Sequence, residues 1–455
     1  MRKKITIIGG GASGTLLAVN LLKNSGDSPL TINLVEKSAA VGRGVAYSTT
    51  ASVHLLNVPA AKMGAFPDDI GNFYAWLTEK DLPYDDHAFV PRKIYGTYLR
   101  ETLEKAVLNK SETTQINVID DEAVDISVDV TQSQVILKSG EILVSDKVVL
   151  AFGNSLPPHP NVENNNFTSA SKYFRDQWNP EIYTKIEKSD SVLIIGTGLS
   201  MVDLVMHYHA GGHKGKIIAL STRGLLPAVH SLGHSYPSFF DELKPMSRIT
   251  DLLKAVRRHI EKAEAEGSNW RGVIDSLRPH TAQIWLDLPL SEKRYFMQHL
   301  SRYWNVARHR VPMEAADVLD EMQADGKLEV LKGRLQTIEF NANGEFETVL
   351  KTNGAESLVT TDTIINCIGS ESNFEKLDSP LVKSMMTRGY IRNDELNLGI
   401  AASPDGRIIG KTGAPSNVLF TLGTALKGTL WETTAIPEIR SQATALSLQL
   451  LYKEG

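Results

Sequence analysis

Two glycine-rich turns about 187 residues apart, each fed by a short apolar run and followed by a helical pattern, predict an α/β fold with two Rossmann-like dinucleotide-binding units. The first turn is Gly9-Gly10-Gly11-Ala12-Ser13-Gly14 behind Ile5–Ile8, and the second is Gly196-Thr197-Gly198-Leu199-Ser200-Met201 behind Val192–Ile195. The third observation is what each unit reaches next. The first arrives at an acid, Glu36, closing the run Ile32–Glu36; the second arrives at Ser221-Thr222-Arg223 after Ile217–Leu220. A carboxylate there hydrogen-bonds a ribose diol, whereas a guanidinium suits a 2′-phosphate. The contrast predicts FAD in the first unit and NADPH in the second.

In the first unit, Gly9 permits the tight turn, Gly11 lets backbone N–H groups approach a pyrophosphate, and Gly14 lets helix pack on strand. A helix is expected over Ser13–Asn24, with Leu16, Leu17, Val19 and Leu21 along it and Gly26-Asp27 breaking it. The residues expected around FAD are Gly9, Gly11, Ala12, Ser13, Gly14, Glu36, Lys37, Arg43, Gly44, Asn57, Val124, Gly153, Gly369, Gly423 and Trp431. Arg43, in the loop Gly42–Ser48, can neutralise phosphate charge. The next segment, His54–Ala60, sets an imidazole and the Asn57 amide in an apolar run; beside a flavin, Asn57 can hydrogen-bond the ring edge, and a plain core loop with a satisfied His54 is equally open.

Two further runs, Lys147–Asn154 and Thr363–Gly369, are short, continuously apolar and end in glycine, as parallel strands buried on both faces do. They bracket the second turn, so that unit is expected as an insertion into the first, entered through a linker marked by Pro157, Pro158 and Pro160. In it, Gly196, Gly198, Leu199, Ser200, Thr222 and Arg223 are the expected NADPH residues, with Met201 in the third glycine position. Residues 231–326 turn helical, for example at Arg248–Glu266 and Ser291–Val306, an excursion too long for a bare loop. Lys293, Arg294, Arg302, Arg308 and Arg310 make part of it basic; Arg294, Gln298 and Arg302 should share one helical face, and Phe296, Leu300 and Tyr303 another. Residues 328–361 return to strands, with Asn341–Gly344 as a hairpin turn. The C-terminal run Asn417–Gly423 is another strand ending in glycine. It leads through Trp431 and Glu432 to a helix with Pro437 in its first turn and Thr434 or a neighbour as cap. A helix start aimed at a flavin stabilises the charge of its reduced form. His54, Asn57, Trp431 and Glu432 are therefore the candidate flavin-proximal residues, with no dedicated catalytic dyad visible.

The expected domains are 1–156 and 363–455 for FAD, 157–230 with 327–362 for NADPH, and a helical insertion at 231–326. A hydrophobic content of 42% with 22% charged residues fits a globular protein, and a formal charge of −5 gives no drive toward nucleic acid or anionic membranes. One cysteine, Cys367, excludes a disulfide framework and the dithiol centre of disulfide reductases, and fits a cytoplasmic setting. Met1-Arg2-Lys3-Lys4 and the apolar stretch through Leu22 imitate an export signal, but glycine and serine interrupt that stretch at phosphate-loop spacing. No metal-ligand spacing stands out: His207 and His209 lie two apart.

Beyond these residues, the chain resembles a bacterial family of FAD/NAD(P)-binding proteins. The matching segments are Ile7–Gly14, Gly42–Ser48, Leu56–Pro67, Ile195–Asp203, Leu220–Pro227 and Gly428–Ala443, with Trp270–Asp275 and Arg308–Arg310 also similar in kind. Leu422-Gly423-Thr424 stands where many such flavoproteins carry an aspartate after the last glycine strand. The resemblance implies a single-component flavin monooxygenase, one branch being similar to enzymes that N-oxidise the amine of aspartate.

The expected function is thus FAD-dependent oxidation of NADPH with O2, oxygenating a small substrate that can be an amine. An NADPH-dependent flavin reductase without oxygen insertion and a non-catalytic redox sensor remain alternatives. The insertion leaves room for a homodimer.

Overall fold

Short apolar runs whose side chains are buried on both faces become the parallel strands of two sheets, and the glycine turns sit at the ends of their central strands. The computed structural model describes residues 2–452 except 39, 40, 232 and 353. The first sheet has six strands in the order Arg407–Ile409, Pro415–Thr421, Lys147–Leu150, Lys3–Ile8, Leu30–Glu36 and Thr114–Asp120. All pair in parallel except the first two. Ile5 lies opposite Ile32 and Lys147, which brings the strand ends at Ile8, Val35 and Leu150 level with one another. Helices Ala12–Asn24 and Ile436–Tyr452 cover one face, where Leu16, Leu17 and Leu21 join Ile439, Ala443 and Leu446 in one core.

The other face carries a three-stranded antiparallel sheet, Ala123–Val128, Ser133–Leu137 and Ile142–Ser145, whose Val135 and Leu137 pack toward Val148 and Leu150. The sequence reading does not anticipate this sheet. Its strands are four to six residues long, and only one side of each is buried.

The second sheet is five-stranded and parallel, in the order Leu328–Lys332, Ile217–Ser221, Val192–Ile195, Thr363–Asn366 and Tyr173–Phe174. Helices Leu199–Ala210 and Met313–Ala324 cover one face through Val202, Val205, Ala315 and Leu319. The hairpin-linked strands Arg334–Phe340, Phe346–Thr352 and Ala355–Thr361 cover the other through Ile338, Phe346 and Leu350. The predicted hairpin turn is present: Asn341 Oδ1 accepts the N–H of Asn343 and of Glu345, and Gly344 takes φ +82°.

The second unit is nested in the first. The chain leaves after strand Lys147–Leu150 and returns after Thr363–Asn366. The two connections clasp each other, with Ser155 N–H donating to Ser370 Oγ at 2.7 Å and Ser370 Oγ donating to the Ser155 carbonyl at 2.9 Å. The fold is therefore α/β with tandem Rossmann-like units and a helical insertion. No helix among the described residues is long and apolar enough to cross a membrane.

The insertion holds helices Ile249–Ala265, Trp270–Leu277, Thr281–Asp287, Leu290–His299 and Ser301–Arg308. One expectation fails here: Ser291–Val306 is not one helix. It breaks at Leu300, where φ widens to −117° between helices Leu290–His299 and Ser301–Arg308, while the Ser301 hydroxyl donates to the Met297 carbonyl. The break undoes the predicted apolar face, while Arg294, Gln298 and Arg302 of the other are all exposed. Phe296 is buried, edge-on to the Trp431 indole at 5.2 Å between ring centres, while Tyr303 is half exposed. The basic run is not uniformly solvated, because Arg310 is buried and the Arg308 side chain is only 9% exposed.

Candidate functional site

The first turn is built so closely that side chains would not fit. A Cβ on Gly14 would stand 1.9 Å from the Gly9 carbonyl oxygen, and one on Gly9 2.5 Å from that of Ala151, with Gly9 already at φ +107°. Helix Ala12–Asn24 thus starts directly against the strand ends, and its first N–H groups, lacking intrahelical acceptors, face the groove. Gly44 lies over Gly11, where a Cβ on Gly11 would be 3.4 Å from the Gly44 Cα. From the far end of the chain Gly423 approaches as closely: at φ +73°, its Cβ would meet Ser13 Oγ at 2.6 Å. Gln442 holds Gly423 there, its Oε1 accepting the Gly423 N–H at 2.9 Å.

Glu36 accepts the Gly10 N–H at 2.7 Å through one oxygen, and the Ser38 N–H and hydroxyl through the other. Lys37 pairs with Glu122 at 3.7 Å. Val124, two residues on, is the extra residue of a β-bulge, since Ala123 faces Leu137 and Asp125 faces Ile136. The Arg43 carbonyl accepts the Tyr47 N–H at 3.2 Å, while its guanidinium makes no hydrogen bond or ion pair among the described residues. The structure therefore gathers Gly9–Gly14, Glu36, Gly44 and Gly423 around one groove, with a backbone that approaches as a pyrophosphate-binding turn must. The residues fit FAD.

The second turn repeats the design. Gly196 takes φ +121°, and its Cβ would lie 2.3 Å from the Cys367 carbonyl oxygen. Met201, in the third glycine position, is fully buried under the sheet, and so replaces close backbone packing by side-chain packing. Thr222 and Arg223 are exposed at the end of strand Ile217–Ser221, and Arg223 has no ion-pair partner among the described residues. The Ser221 hydroxyl is already engaged, accepting from Gly224 N–H and Thr197 Oγ1 at 2.9 Å each. Gly153 and Gly369 lie in the two connecting segments, with open space around each.

Between the units, Asn57 lines a cavity of about 20 Å³, room for one water, with Leu55, Arg92, Leu199, Asp203 and Val311. His54 is buried beside it, its Nδ1 within 2.7 Å of Thr49 Oγ1. Around its ring, at 6.1–6.3 Å between centres, stand Trp178, Tyr183 and His207. Burial first, then the Arg92 charge, push its pKa down to about 4. Arg92 crosses to Asp203 at 2.9 Å in a pair with both side chains largely buried. Burial nevertheless raises the Asp203 carboxyl to about 6, against the opposing pull of Arg92.

Trp431 and Glu432 are drawn toward the insertion. The Trp431 indole stacks on Trp285 at 5.0 Å, and Trp285 Nε1 donates to the Gly428 carbonyl at 2.8 Å. Trp431 itself has φ +59°, a left-handed backbone that few non-glycine residues adopt. Glu432 accepts from Trp304 Nε1 at 2.8 Å and faces Arg308 at 3.6 Å, while Arg278 forks onto Glu438 at 2.8 and 3.1 Å. Thr434 is exposed, and its neighbour Ala435 stands directly before helix Ile436–Tyr452, its carbonyl accepting from Glu438 and Ile439.

Sequence reasoning missed Arg92, Asp203, Gln442 and His230. Only Asp203 carried a signal, a lone acid between Val202 and Leu204 in an apolar helix.

Residues 6–155 match a family described as FAD-NAD(P)-binding. No curated protein matches the chain in sequence. Among solved structures, the ornithine hydroxylase PvdA from Pseudomonas aeruginosa matches 99% of this chain and 99% of its own, with a TM-score of 0.66 and 15% identity. The ornithine N-hydroxylase KtzI of Kutzneria sp. 744 matches 99% of each chain, with a TM-score of 0.65 and 13% identity. The cadaverine monooxygenase DfoA of Erwinia amylovora matches 99% of this chain and 95% of its own, with a TM-score of 0.65 and 15% identity. Residues 6–155 thus resemble the FAD-NAD(P)-binding family, and the whole chain shares its overall fold with these ornithine and cadaverine monooxygenases.

Proposed function

We propose that the protein is an FAD-dependent, NADPH-oxidising monooxygenase that uses O2 to hydroxylate the nitrogen of a small amine. The observation that carries this reading is the pair of glycine turns, one ending in Glu36 and the other in Arg223, on a fold shared over its full length with N-hydroxylating enzymes. The first turn, Glu36, Arg43 and Gly423 would hold FAD; Gly196–Ser200, Thr222 and Arg223 would hold NADPH. When bound, FAD supplies the redox chemistry that links NADPH oxidation to activation of O2.

The chain's own share is orientation, electrostatics and exclusion of water. At the seam, Asn57 and Leu199 line a cavity with room for only one water, and a narrow space of this kind suits exclusion of bulk water. The insertion closes over the segment 428–438 through Trp285, Trp304 and Arg278, which suits a cover for a water-sensitive site. The single cysteine, buried with its thiol pKa pushed up, speaks against a dithiol reductase.

The test is NADPH oxidation by the FAD-loaded protein with a panel of small amines, with hydroxylamine product and hydrogen peroxide both quantified. Hydroxylamine formed at the expense of peroxide with one amine class supports the proposal. Peroxide alone, unchanged by any amine, overturns it in favour of a reductase.

A further inference from the structure

The segment His54–Asn57 is held from two sides by residues foreign to it. The Arg92 N–H donates to the His54 carbonyl at 2.8 Å, Arg92 Nε to that of Leu55 at 3.0 Å, and the Leu56 N–H to the Val90 carbonyl at 2.9 Å. The last carbonyl, that of Asn57, is held from 173 residues away, by His230 Nε2 at 3.0 Å. The Asn57 side-chain amide, in contrast, has no hydrogen-bond partner among the described residues, and Asn57 is one of the residues lining the cavity between the two units.

His230 sits where the second unit hands over to the helical insertion, and it is itself fixed. Its N–H donates to the Val311 carbonyl at 2.9 Å, and Val229 forms a parallel bridge with Val311. Phe89 packs on the imidazole at 4.9 Å between ring centres. From the insertion, Arg271 Nε donates to the Val229 carbonyl at 2.8 Å, and the Arg271 carbonyl faces buried Arg310, which forks onto Asp275 at 3.0 and 2.8 Å. Burial keeps the imidazole neutral by pushing its pKa down to about 4, so it carries a single N–H, and the Asn57 carbonyl selects Nε2 for it.

We propose that His230 is a positioning residue: by holding the Asn57 carbonyl it fixes the direction of the Asn57 amide at the nucleotide seam and ties that direction to the docking of the insertion. The proposal rests on the functional reading above, together with the expectation from the sequence that a flavin lies beside Asn57. An amide on a backbone held at the His54, Leu55 and Asn57 carbonyls and at the Leu56 N–H is what an orienting group requires, since a shift of an ångström at such a site is costly.

The experiment compares His230→Leu, which removes the donor at similar bulk, with His230→Gln, which keeps an N–H of comparable reach. Hydrogen–deuterium exchange of residues 54–60 is followed in the apoprotein and the FAD-loaded protein, with the visible circular dichroism of bound flavin and the kcat and KM for NADPH. In His230→Leu, exchange at 54–60 should rise on the order of tenfold, as loss of one buried hydrogen bond implies. The flavin dichroism should change, and kcat should fall with KM for NADPH nearly constant. His230→Gln should restore all three. Should His230→Leu not fold, His230→Asn, too short to reach the carbonyl, takes its place. Unchanged exchange and flavin spectrum in the donor-less variant, or no rescue by glutamine, would overturn the assignment. If the wild-type protein does not retain FAD, the functional reading fails, and exchange in the apoprotein still decides whether His230 holds the loop.

Discussion

Arg92 of the first unit and Asp203 of the second meet across the seam at 2.9 Å, with side chains only 13% and 12% exposed. The pair joins the start of helix Arg92–Leu108 to the helix that follows the second glycine turn. A buried pair is costly to break from one side, because the partner keeps its charge without compensation. Arg92→Ala should therefore destabilise the protein by about 3 kcal/mol. Arg92→Leu combined with Asp203→Leu should recover much of that loss. Urea unfolding of the singles and the double closes the cycle, and strict additivity would show that the two do not interact.

The two first glycines make separable predictions. Alanine at Gly9 or Gly196 would press its Cβ to 2.5 or 2.3 Å from a backbone oxygen, at φ values of +107° and +121°. Neither carbonyl yields easily, because Ala151 and Cys367 each follow directly on a buried strand of their own sheet. Gly9→Ala should abolish FAD retention, read as loss of flavin absorbance in the purified protein. Gly196→Ala should leave the flavin bound and weaken NADPH at least tenfold in a titration of flavin reduction. Loss of flavin from both variants would mean that the second turn does not act as an independent nucleotide site.

Those turns were legible because their signal is local: glycine where the backbone must approach, apolar strand before, helix after. The nesting of one unit in the other was legible for a similar reason, since the runs ending in Gly153 and Gly369 look alike and bracket the second turn. Arg92, His230 and Gln442 were not, because each takes its meaning from a partner far along the chain: Asp203, Asn57 and Gly423. The break at Leu300 was hidden as well. Its neighbours keep helical periodicity on both sides, and the turn serves contacts of Trp304 and Arg308 with Glu432 that lie outside any local window. The sheet Ala123–Ser145 fell below notice because its strands are short and buried on one side only.

Acid should loosen the fold through its buried imidazoles. His54 and His230 titrate at about 4 when folded, against the ordinary value of 6.5. As pH falls below 6.5 the unfolded chain takes up protons that the folded one refuses, so stability drops until pH 4 is approached. Asp203 acts in the opposite sense: folded at about 6 and ordinarily at 3.8, it favours the folded state as pH falls below 6. At pH 5 the histidines each cost on the order of 2 kcal/mol and Asp203 returns about 1 kcal/mol, so a net loss of a few kcal/mol is expected. Urea titrations at pH 7 and pH 5 measure it. Asp203→Asn should steepen the loss and His230→Gln should reduce it; equal stability at the two pH values would contradict the assignment.

On the proposed function, Arg223 is the residue that would choose the pyridine nucleotide. The strand end that presents it is rigid, because Thr197 of the glycine turn reaches over to Ser221 Oγ at 2.9 Å and to the Leu225 carbonyl at 2.6 Å, while Gly224 turns the chain at φ +62°. The guanidinium is exposed beyond that scaffold and finds no acid among the described residues, so it is free to fork onto a phosphate. NADH lacks the 2′-phosphate and gains nothing comparable. Arg223→Ala should therefore lower kcat/KM for NADPH by about 30- to 100-fold, consistent with loss of a charge-assisted bidentate contact. The value for NADH should change no more than about threefold, and kcat at saturating NADPH should stay close to wild type, because the contact is made equally before and during hydride transfer. Arg223→Lys should recover only part of the loss, since an ammonium cannot reproduce the planar fork. Parallel loss of both nucleotides would remove the 2′-phosphate from Arg223 and make the residue a part of the scaffold instead.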